Sequence, residues 1–425
     1  MELPKENLET LEKSIRYSQQ DKTLELEAVF RQDVNQSKFV DILKKIKAMK
    51  HLVQPEIKET EMLDISFADK SLDQRITIMH NQNIKKYCKT GSLTGIKPEH
   101  MEIIKKERVM FADVKDYGVR FNLKREKQIN LSDTEAQNLV RNLKTLDKYF
   151  RYKKRYTMTT RDKMFNFDLT VVKSSDTREV RAPSQKKRKS EVKPFLRKYV
   201  VVPDFVNNKD TWFDELPDSE IVEIMGKKFT ELVPKKEIKG SNVFSNKMKY
   251  EVELEYVGNK DSTGGKVNNK QVLNSFIENV GYILQEFQNN YFLLSENKKD
   301  NFYKAYKELT GGYKFSGPNN VSLEPHNTVE RSYNDYFNTV NIRKGYTVTD
   351  KADGERNLLV IDEKGDSYMF NRKNVVKATG MKIDAPKTIV DGEYIKHDRD
   401  GNPMALFMVF DIYFLEGVDV RDNVL

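Results

Sequence analysis

The chain has 425 residues, 38% of them hydrophobic and 33% charged, which is enough for two or three domains with real cores and too apolar for a disordered chain. The formal charge of +9 leans only weakly toward a polyanionic partner, because 65 acidic residues accompany 74 basic ones. A single cysteine, Cys88, excludes an intrachain disulfide and a cysteine-rich zinc module and fits a reducing compartment; the five histidines form no ligand pair, and no apolar stretch is long enough to cross a membrane.

Leu8, Leu11 and Ile15 fall at helical spacing, so Glu6 to Tyr17 is expected to be a short helix. The period then changes to two. Thr23 to Arg31 alternates Leu24, Leu26, Ala28 and Phe30 on one face with Glu25, Glu27 and Arg31 on the other. Phe39, Leu43 and Ile46 predict a helix that ends before Pro55. Alternation returns in Asp73 to Met79, where Arg75 and Thr77 share a face, and in Gly118 to Glu126, where Arg120, Asn122, Lys124 and Glu126 oppose Phe121 and Leu123. A helix is expected between Asn130 and Tyr149, opened by Ser132 and Glu135 in capping-box spacing. Beyond it Arg151, Lys153, Arg155 and Thr157 face one way, and Asn166, Asp168 and Thr170 oppose Phe167, Leu169 and Val171. The last strand of the set places Glu251, Glu253 and Glu255 opposite Val252, Leu254 and Tyr256.

An antiparallel sheet with one solvated face would show such alternation. Two Glu-x-Glu strands enclosing strands rich in arginine and lysine suggest more: a barrel closed around a polar lumen, where carboxylates and cations could hold a divalent metal against a triphosphate. Its apolar faces would then pack against outer helices. Ser174 to Ser190, with Lys186, Lys187, Arg188 and Lys189, reads as an exposed basic loop able to touch RNA phosphates, and a nuclear address fits the same pattern less well. Trp212 and Phe213 suggest a segment packed on the barrel, and Asp261 to Gly265 a turn. A long helix should follow, with Leu273, Phe276, Ile277, Val280, Leu284, Phe287 and Tyr291 on its apolar face, packing between two catalytic units.

The third region is organised by Tyr346 to Asp362. Two strand-like runs, Tyr346 to Thr349 and Leu358 to Ile361, flank Lys351, Asp353, Gly354, Glu355 and Arg356, a setting suited either to a nucleophilic lysine or to a charged hairpin turn. Ser367 to Phe370 delivers Asn371 and Arg372, Asp391-Gly392-Glu393 starts a further strand, and Ala405 to Phe414 is apolar except for Asp411.

The alternating set resembles the triphosphate tunnel metalloenzymes, specifically the metal-dependent RNA 5′-triphosphatases of capping systems. The resemblance rests on Leu-Glu-Leu-Glu at 24 to 27 and Glu-Val-Glu-Leu-Glu at 251 to 255, with Arg-Tyr-Lys-Lys-Arg at 151 to 155 between them. It implies that Glu25, Glu27, Glu253 and Glu255 are catalytic metal ligands for manganese or magnesium. Arg31, Arg75, Arg120, Lys124, Lys153 and Arg155 become candidates for phosphate or RNA contact. Val29 departs from the family by standing where a basic residue is usual, and Glu251 leaves a second pairing open within its strand, with Glu253 and Glu255 preferred.

Lys-Ala-Asp-Gly-Glu-Arg at 351 to 356, Asp-Gly-Glu at 391 to 393 and Phe-Asp-Ile-Tyr at 410 to 413 resemble the lysyl-nucleotidyltransferases, most closely the capping guanylyltransferases of large cytoplasmic DNA viruses. Gly-Pro-Asn-Asn-Val-Ser-Leu at 317 to 323 is similar to the segment before their lysine motif. By that resemblance Lys351 takes GMP covalently from GTP, and Asp353, Gly354, Arg356, Arg372 and Glu393 surround the nucleotide. Phe410 stacks on the base, with plain core as its alternative.

Together the resemblances imply an α+β protein: an antiparallel β-barrel tunnel with a polar lumen and packed outer helices, then a partial nucleotidyltransferase (ATP-grasp-like or ligase-like) α+β domain. The expected divisions are 1–260 for the triphosphatase, 261–295 for the packing helix and 296–425 for the front part of the guanylyltransferase. The implied substrates are 5′-triphosphate RNA and GTP, the implied further partners viral transcription machinery or a capping subunit, and the implied location the host cytoplasm or the virion, with no membrane. A polynucleotide ligase or a non-catalytic RNA-binding scaffold are the alternative readings.

Overall fold

The computed structural model of the chain describes residues 1–69, 71–180, 192, 195–196, 229–258, 268–318, 322–328, 342–343, 345–346, 348 and 351–423. The basic run at Lys186 to Lys189, Trp212 and Phe213, the turn at Asp261 to Gly265, and Thr347 and Thr349 of the run Tyr346 to Thr349 lie outside the described residues. Two compact units divide the chain, Met1–Phe287 and Gln288–Leu425.

The first unit contains, in order, α1 (Lys5–Gln20), β1 (Leu24–Phe30), α2 (Gln36–Ala48), β2 (Lys58–Phe67), β3 (Gln74–Met79), α3 (Asn81–Thr90), β4 (Met101–Val114) and β5 (Val119–Gln128). It continues with α4 (Thr134–Asn142), β6 (Lys148–Thr159), β7 (Phe165–Ser174), β8 (Thr177–Val180), β9 (Phe229–Leu232), β10 (Lys249–Tyr256) and α5 (Asn269–Gln288). Eight strands close an antiparallel barrel in the order β1, β10, β7, β6, β2, β3, β4, β5, while β8 and β9 pair separately. The barrel is apolar outside. Leu26 and Ala28 of β1, Leu63 and Ile65 of β2, Ile76 and Ile78 of β3 and Leu254 of β10 are buried under helices, because the alternate positions they occupy cannot also serve a polar lumen. Leu63, Ile65, Ile76 and Ile78 share one core with Ile84 and Tyr87 of α3 and Ala136 and Leu139 of α4. On α5, Phe276 is fully buried against Phe121 and Phe165, with ring centroids 5.4 and 5.3 Å away, and Phe287 stacks on Phe30.

Several expectations need correction. The capping box at Ser132 and Glu135 does not form: α4 is capped at Asp133 without a side-chain bond, the Asp133 carboxylate accepts the Asn130 N–H at 3.1 Å, and Glu135 accepts from Gln74. Consequently α4 is short, and Lys148 and Tyr149 belong to β6. Tyr291 lies beyond the end of α5 and is exposed. Two barrel strands, β2 and β4, escape the sequence reading, since charged residues at Lys58 to Glu61 and Lys105 to Arg108 blur their alternation.

The second unit contains α6 (Glu296–Thr310), β11 (Glu355–Ile361), β12 (Asp366–Asn371), β13 (Val376–Lys382), β14 (Thr388–His397), β15 (Pro403–Leu415) and β16 (Val418–Asp419). The strands form one antiparallel sheet in the order β13, β12, β11, β14, β15, β16. Phe302 and Tyr306 of α6 pack on Leu358, Val360, Tyr368, Phe370 and Ile389 of the sheet. β11 begins at Glu355, so Arg356 lies within a strand, opposite Glu393, and not in a turn between strands.

The packing of α5 predicts that Phe276→Ala costs about 3–5 kcal/mol of stability, as expected for truncating a buried aromatic. Urea unfolding of the first unit measures this. A loss below about 1 kcal/mol would show that α5 contributes little to the barrel core.

Candidate active sites in the barrel lumen and the C-terminal cleft

Closure of the barrel gathers the polar face of every strand. In the β1/β10 pair Glu27 stands directly opposite Glu255, and Val29 opposite Glu253, so Glu25, Glu27, Glu253 and Glu255 form one carboxylate wall. Glu27 is only 8% exposed. Removal from water, and then the negative charges of Glu27, Glu251 and Asp168, push the Glu253 carboxyl above its usual range against the opposing pull of Arg155.

Cations from the other strands meet this wall. Lys124 donates to Glu27, which also accepts from Asn122 at 3.1 Å. Arg155 spans Asp168 at 3.0 Å and Glu253 at 3.5 Å, and Arg151 reaches Glu251 at 2.7 Å. Burial opposes the charge on Arg155, but Asp168, Glu253 and Glu255 outweigh it and raise its pKa. Lys153 Nζ lies 2.5 Å and Arg75 3.8 Å from the buried carboxylate of Asp64, which also accepts from Thr77 at 2.9 Å. Burial pushes the Lys153 ammonium below its ordinary value despite Asp64. Arg120 grips Asp113 through two bonds of 2.7 and 2.5 Å, with Arg31 at 3.3 Å from the same carboxylate.

The lumen therefore brings together all ten barrel residues singled out from sequence: Glu25, Glu27, Glu253 and Glu255 with Arg31, Arg75, Arg120, Lys124, Lys153 and Arg155. Asp64, Asp113 and Lys106 join them on strands that sequence reading did not resolve as such. Lys106 sits between Glu25, at 3.7 Å, and Glu126. Its side chain is one-third exposed, yet desolvation by the surrounding wall and the positive charges of Arg75 and Lys124 push its pKa down to about 8.

Whether this lumen suits a divalent cation can be judged from its donors. Among the described residues no three carboxylate, histidine or cysteine groups stand ready around one point, and Glu25, Glu27 and Glu253 turn instead toward Lys106, Lys124 and Arg155. The donor set itself, glutamate oxygens whose burial and mutual repulsion raise the Glu253 pKa, is the hard and electrostatically strained kind that magnesium or manganese relieves.

In the second unit a cleft of about 910 Å³ is lined by residues that include Lys351, Gly354, Arg356, Arg372, Glu393 and Phe410. Asp353 is exposed and is not part of that lining. Gly354 and Gly392 hold the floor close: a Cβ on Gly354 would come within 2.6 Å of the Tyr394 carbonyl oxygen, and one on Gly392 within 2.5 Å of the Met408 carbonyl. Arg356 Nε bonds Asp391 Oδ1 at 3.0 Å, its Nη2 bonds the same carboxylate, and its Nη1 donates to the Pro318 carbonyl at 2.8 Å. Asp391 is wholly buried and also accepts from Tyr413, so this pair is a structural anchor that presents Arg356 at the cleft wall. Phe410 is not core. It is 36% exposed, lines the cleft, and lies 5.7 Å from the Arg356 guanidinium. Asp411 lines the cleft as well and accepts the Ile412 N–H at 2.8 Å.

Residues 293–425 match the family model described as mRNA capping enzyme, catalytic domain. A protein of Acanthamoeba polyphaga mimivirus named "Probable mRNA-capping enzyme" is 32% identical over 181 residues, an alignment covering 41% of this chain and 13% of that relative. Among solved structures, the RNA triphosphatase domain of a mimivirus mRNA capping enzyme aligns at 16% identity over 67% of this chain and 100% of its own, with a TM-score of 0.41. The Pct1 RNA triphosphatase of S. pombe aligns at 11% identity over 67% of this chain and 95% of its own, with a TM-score of 0.36. The C-terminal unit thus matches a capping-enzyme catalytic domain over residues 293–425, and 41% of the chain is similar to 13% of a mimivirus protein named as a probable mRNA-capping enzyme.

Proposed function

We propose that the barrel removes the γ-phosphate from triphosphate-ended RNA and that Lys351 carries GMP from GTP to the resulting diphosphate end. On this reading residues 1–260 are the triphosphatase, 261–295 the connecting helix and 296–425 belong to the guanylyltransferase, working on viral transcripts in the host cytoplasm. The observation that carries it is the lumen, in which a wall of glutamates faces arginines and lysines across a closed barrel.

Glu25, Glu27, Glu253 and Glu255 would hold manganese or magnesium, which supplies Lewis-acid polarisation of the γ-phosphoryl group. Arg155, Arg75 and Lys153 are placed to exchange their carboxylate partners for phosphate oxygens, the arginines through paired bonds and the lysine as a point charge. A glutamate of the wall orients the water that attacks the γ-phosphorus; the β–γ P–O bond breaks, and orthophosphate leaves a diphosphate end. In the cleft the Lys351 amine attacks the α-phosphorus of GTP, forming an N–P bond as pyrophosphate departs. A terminal oxygen of the RNA diphosphate then displaces the lysine, which regains its amine. Phe410 borders the space for the base, and Arg372 and Glu393 that for the rest of the nucleotide.

Three outcomes are expected. Release of labelled γ-phosphate from triphosphate RNA should require manganese or magnesium and fall about a hundredfold or more in Glu25→Ala; metal-dependent release that survives this substitution would remove Glu25 from the site. Incubation with α-labelled GTP should label the parent and not Lys351→Arg, and equal labelling of both would place the adduct elsewhere. The third outcome concerns pH. Because folding raises the Glu253 pKa, the stability tied to its proton is present below the ordinary glutamate range and is lost as pH rises through the folded value. In chelator, Glu253→Gln should therefore be more stable than the parent at neutral pH, with the difference closing toward about pH 4. Urea midpoints at the two pH values measure it, and a less stable variant at neutral pH would mean that Arg155 dominates.

A further inference from the structure

Phe111 is an aromatic residue on the polar face of the barrel lumen. β4 runs beside β5 with Arg108 opposite Lys124, but the next pairs are Met110 with Leu123 and Phe111 with Asn122, so Val109 is an extra residue. Without that bulge Met110 and Ala112 would point inward; with it Phe111 and Asp113 do. Bulges that re-aim side chains recur next to active sites. Here the bulge puts an aromatic ring beside Asn122, itself bonded to Glu27 of the carboxylate wall. The ring lies 4.9 Å from the Arg120 guanidinium and 5.6 Å from that of Arg108. Arg31 and Arg120 share the carboxylate of Asp113, and Arg108 adds a third positive charge nearby. Burial, together with Arg120 and Arg108, lowers the Arg31 pKa in spite of Asp113, as expected where positive charge exceeds negative.

We propose that Phe111, flanked by Arg108 and Arg120, is the platform on which the first base of the RNA stacks while its triphosphate lies against the glutamate wall. This rests on the triphosphatase reading and deepens it, because it makes Phe111 the residue by which the lumen tells a nucleoside-bearing triphosphate from a bare one. An aromatic face with adjacent guanidinium planes is the arrangement that binds unstacked bases without regard to their identity. An aliphatic side chain would fill the same space with no π-face, and a purely electrostatic lumen would need neither.

The test compares γ-phosphate release from triphosphate RNA and from inorganic tripolyphosphate, by the full chain and by Phe111→Leu and Phe111→Trp. Stacking is worth about tenfold, so Phe111→Leu should lose about that factor in kcat/KM on RNA and keep its rate on tripolyphosphate, with Phe111→Trp restoring RNA. Equal losses on both substrates would reduce Phe111 to a prop for Arg120 and overturn the proposal, as would an unchanged rate on RNA. If the parent cleaves neither substrate, the triphosphatase reading itself fails. Anisotropy of a 3′-labelled triphosphate RNA then decides: about tenfold weaker binding by Phe111→Leu supports the platform, and unchanged binding overturns it.

Discussion

The constraint on which the rest of this protein depends is the crowding of glutamates on two adjacent strands. Carboxylates facing one another inside a barrel repel, and the wall around them removes much of the water that would screen the repulsion. The sequence can place Glu25, Glu27, Glu253 and Glu255 there only by supplying cations from β4, β5 and β6 to meet them. Those cations need opposite parity from the apolar residues that carry the helices outside. Core packing and lumen chemistry are therefore fixed by the same alternation, and a one-residue slip in any strand would exchange them.

That coupling explains what could be read from sequence. Strands β1, β5, β6, β7 and β10 announce themselves because each keeps an uninterrupted period of two, and shared parity assigned their charged residues to one cavity. β4 is different: its alternation is reset at Val109, so that Lys106 and Phe111 face the lumen from positions of unlike parity. β2 starts in a charged run, and Asp64 is recognisable as a lumen residue only once Arg75 and Lys153 are seen to converge on it. Long-range pairing of this kind leaves no local signal.

The second unit repeats the lesson on a smaller scale. The lysine motif, the Asp-Gly-Glu strand and Phe410 were legible as a constellation, and they do line one cleft. What the motif hides is the division of labour inside it. Arg356 and Asp391 are separated by 35 residues in sequence, yet they form a buried pair closed by Tyr413. Opening such a pair by removing one partner costs on the order of 3–5 kcal/mol. Arg356 thus reads as a nucleotide contact from sequence and as an anchor from structure, and the two are compatible because the anchored guanidinium still forms part of the wall.

The two sites meet opposite demands with the same residue types. In the lumen, arginine and lysine are held by carboxylates, so on the proposed function a polyanion would need only to exchange one set of anionic oxygens for another, with little reorganisation of the cations. In the cleft, on the proposed function, the lysine would instead make and break a bond, and a carboxylate clamp on its amine would oppose that. The clamp falls on Arg356, while Gly354 brings the chain just after Lys351 hard against β14 and leaves the lysine side chain exposed. Any larger residue at 354 would press on the Tyr394 carbonyl oxygen and on the Glu393 side chain, at 2.6 and 3.0 Å from its Cβ, and would have to lift that segment, moving Lys351 relative to Glu393. Placing the rigid ion pair on the arginine and the close backbone contact on the glycine is how this short motif keeps its lysine both positioned and available.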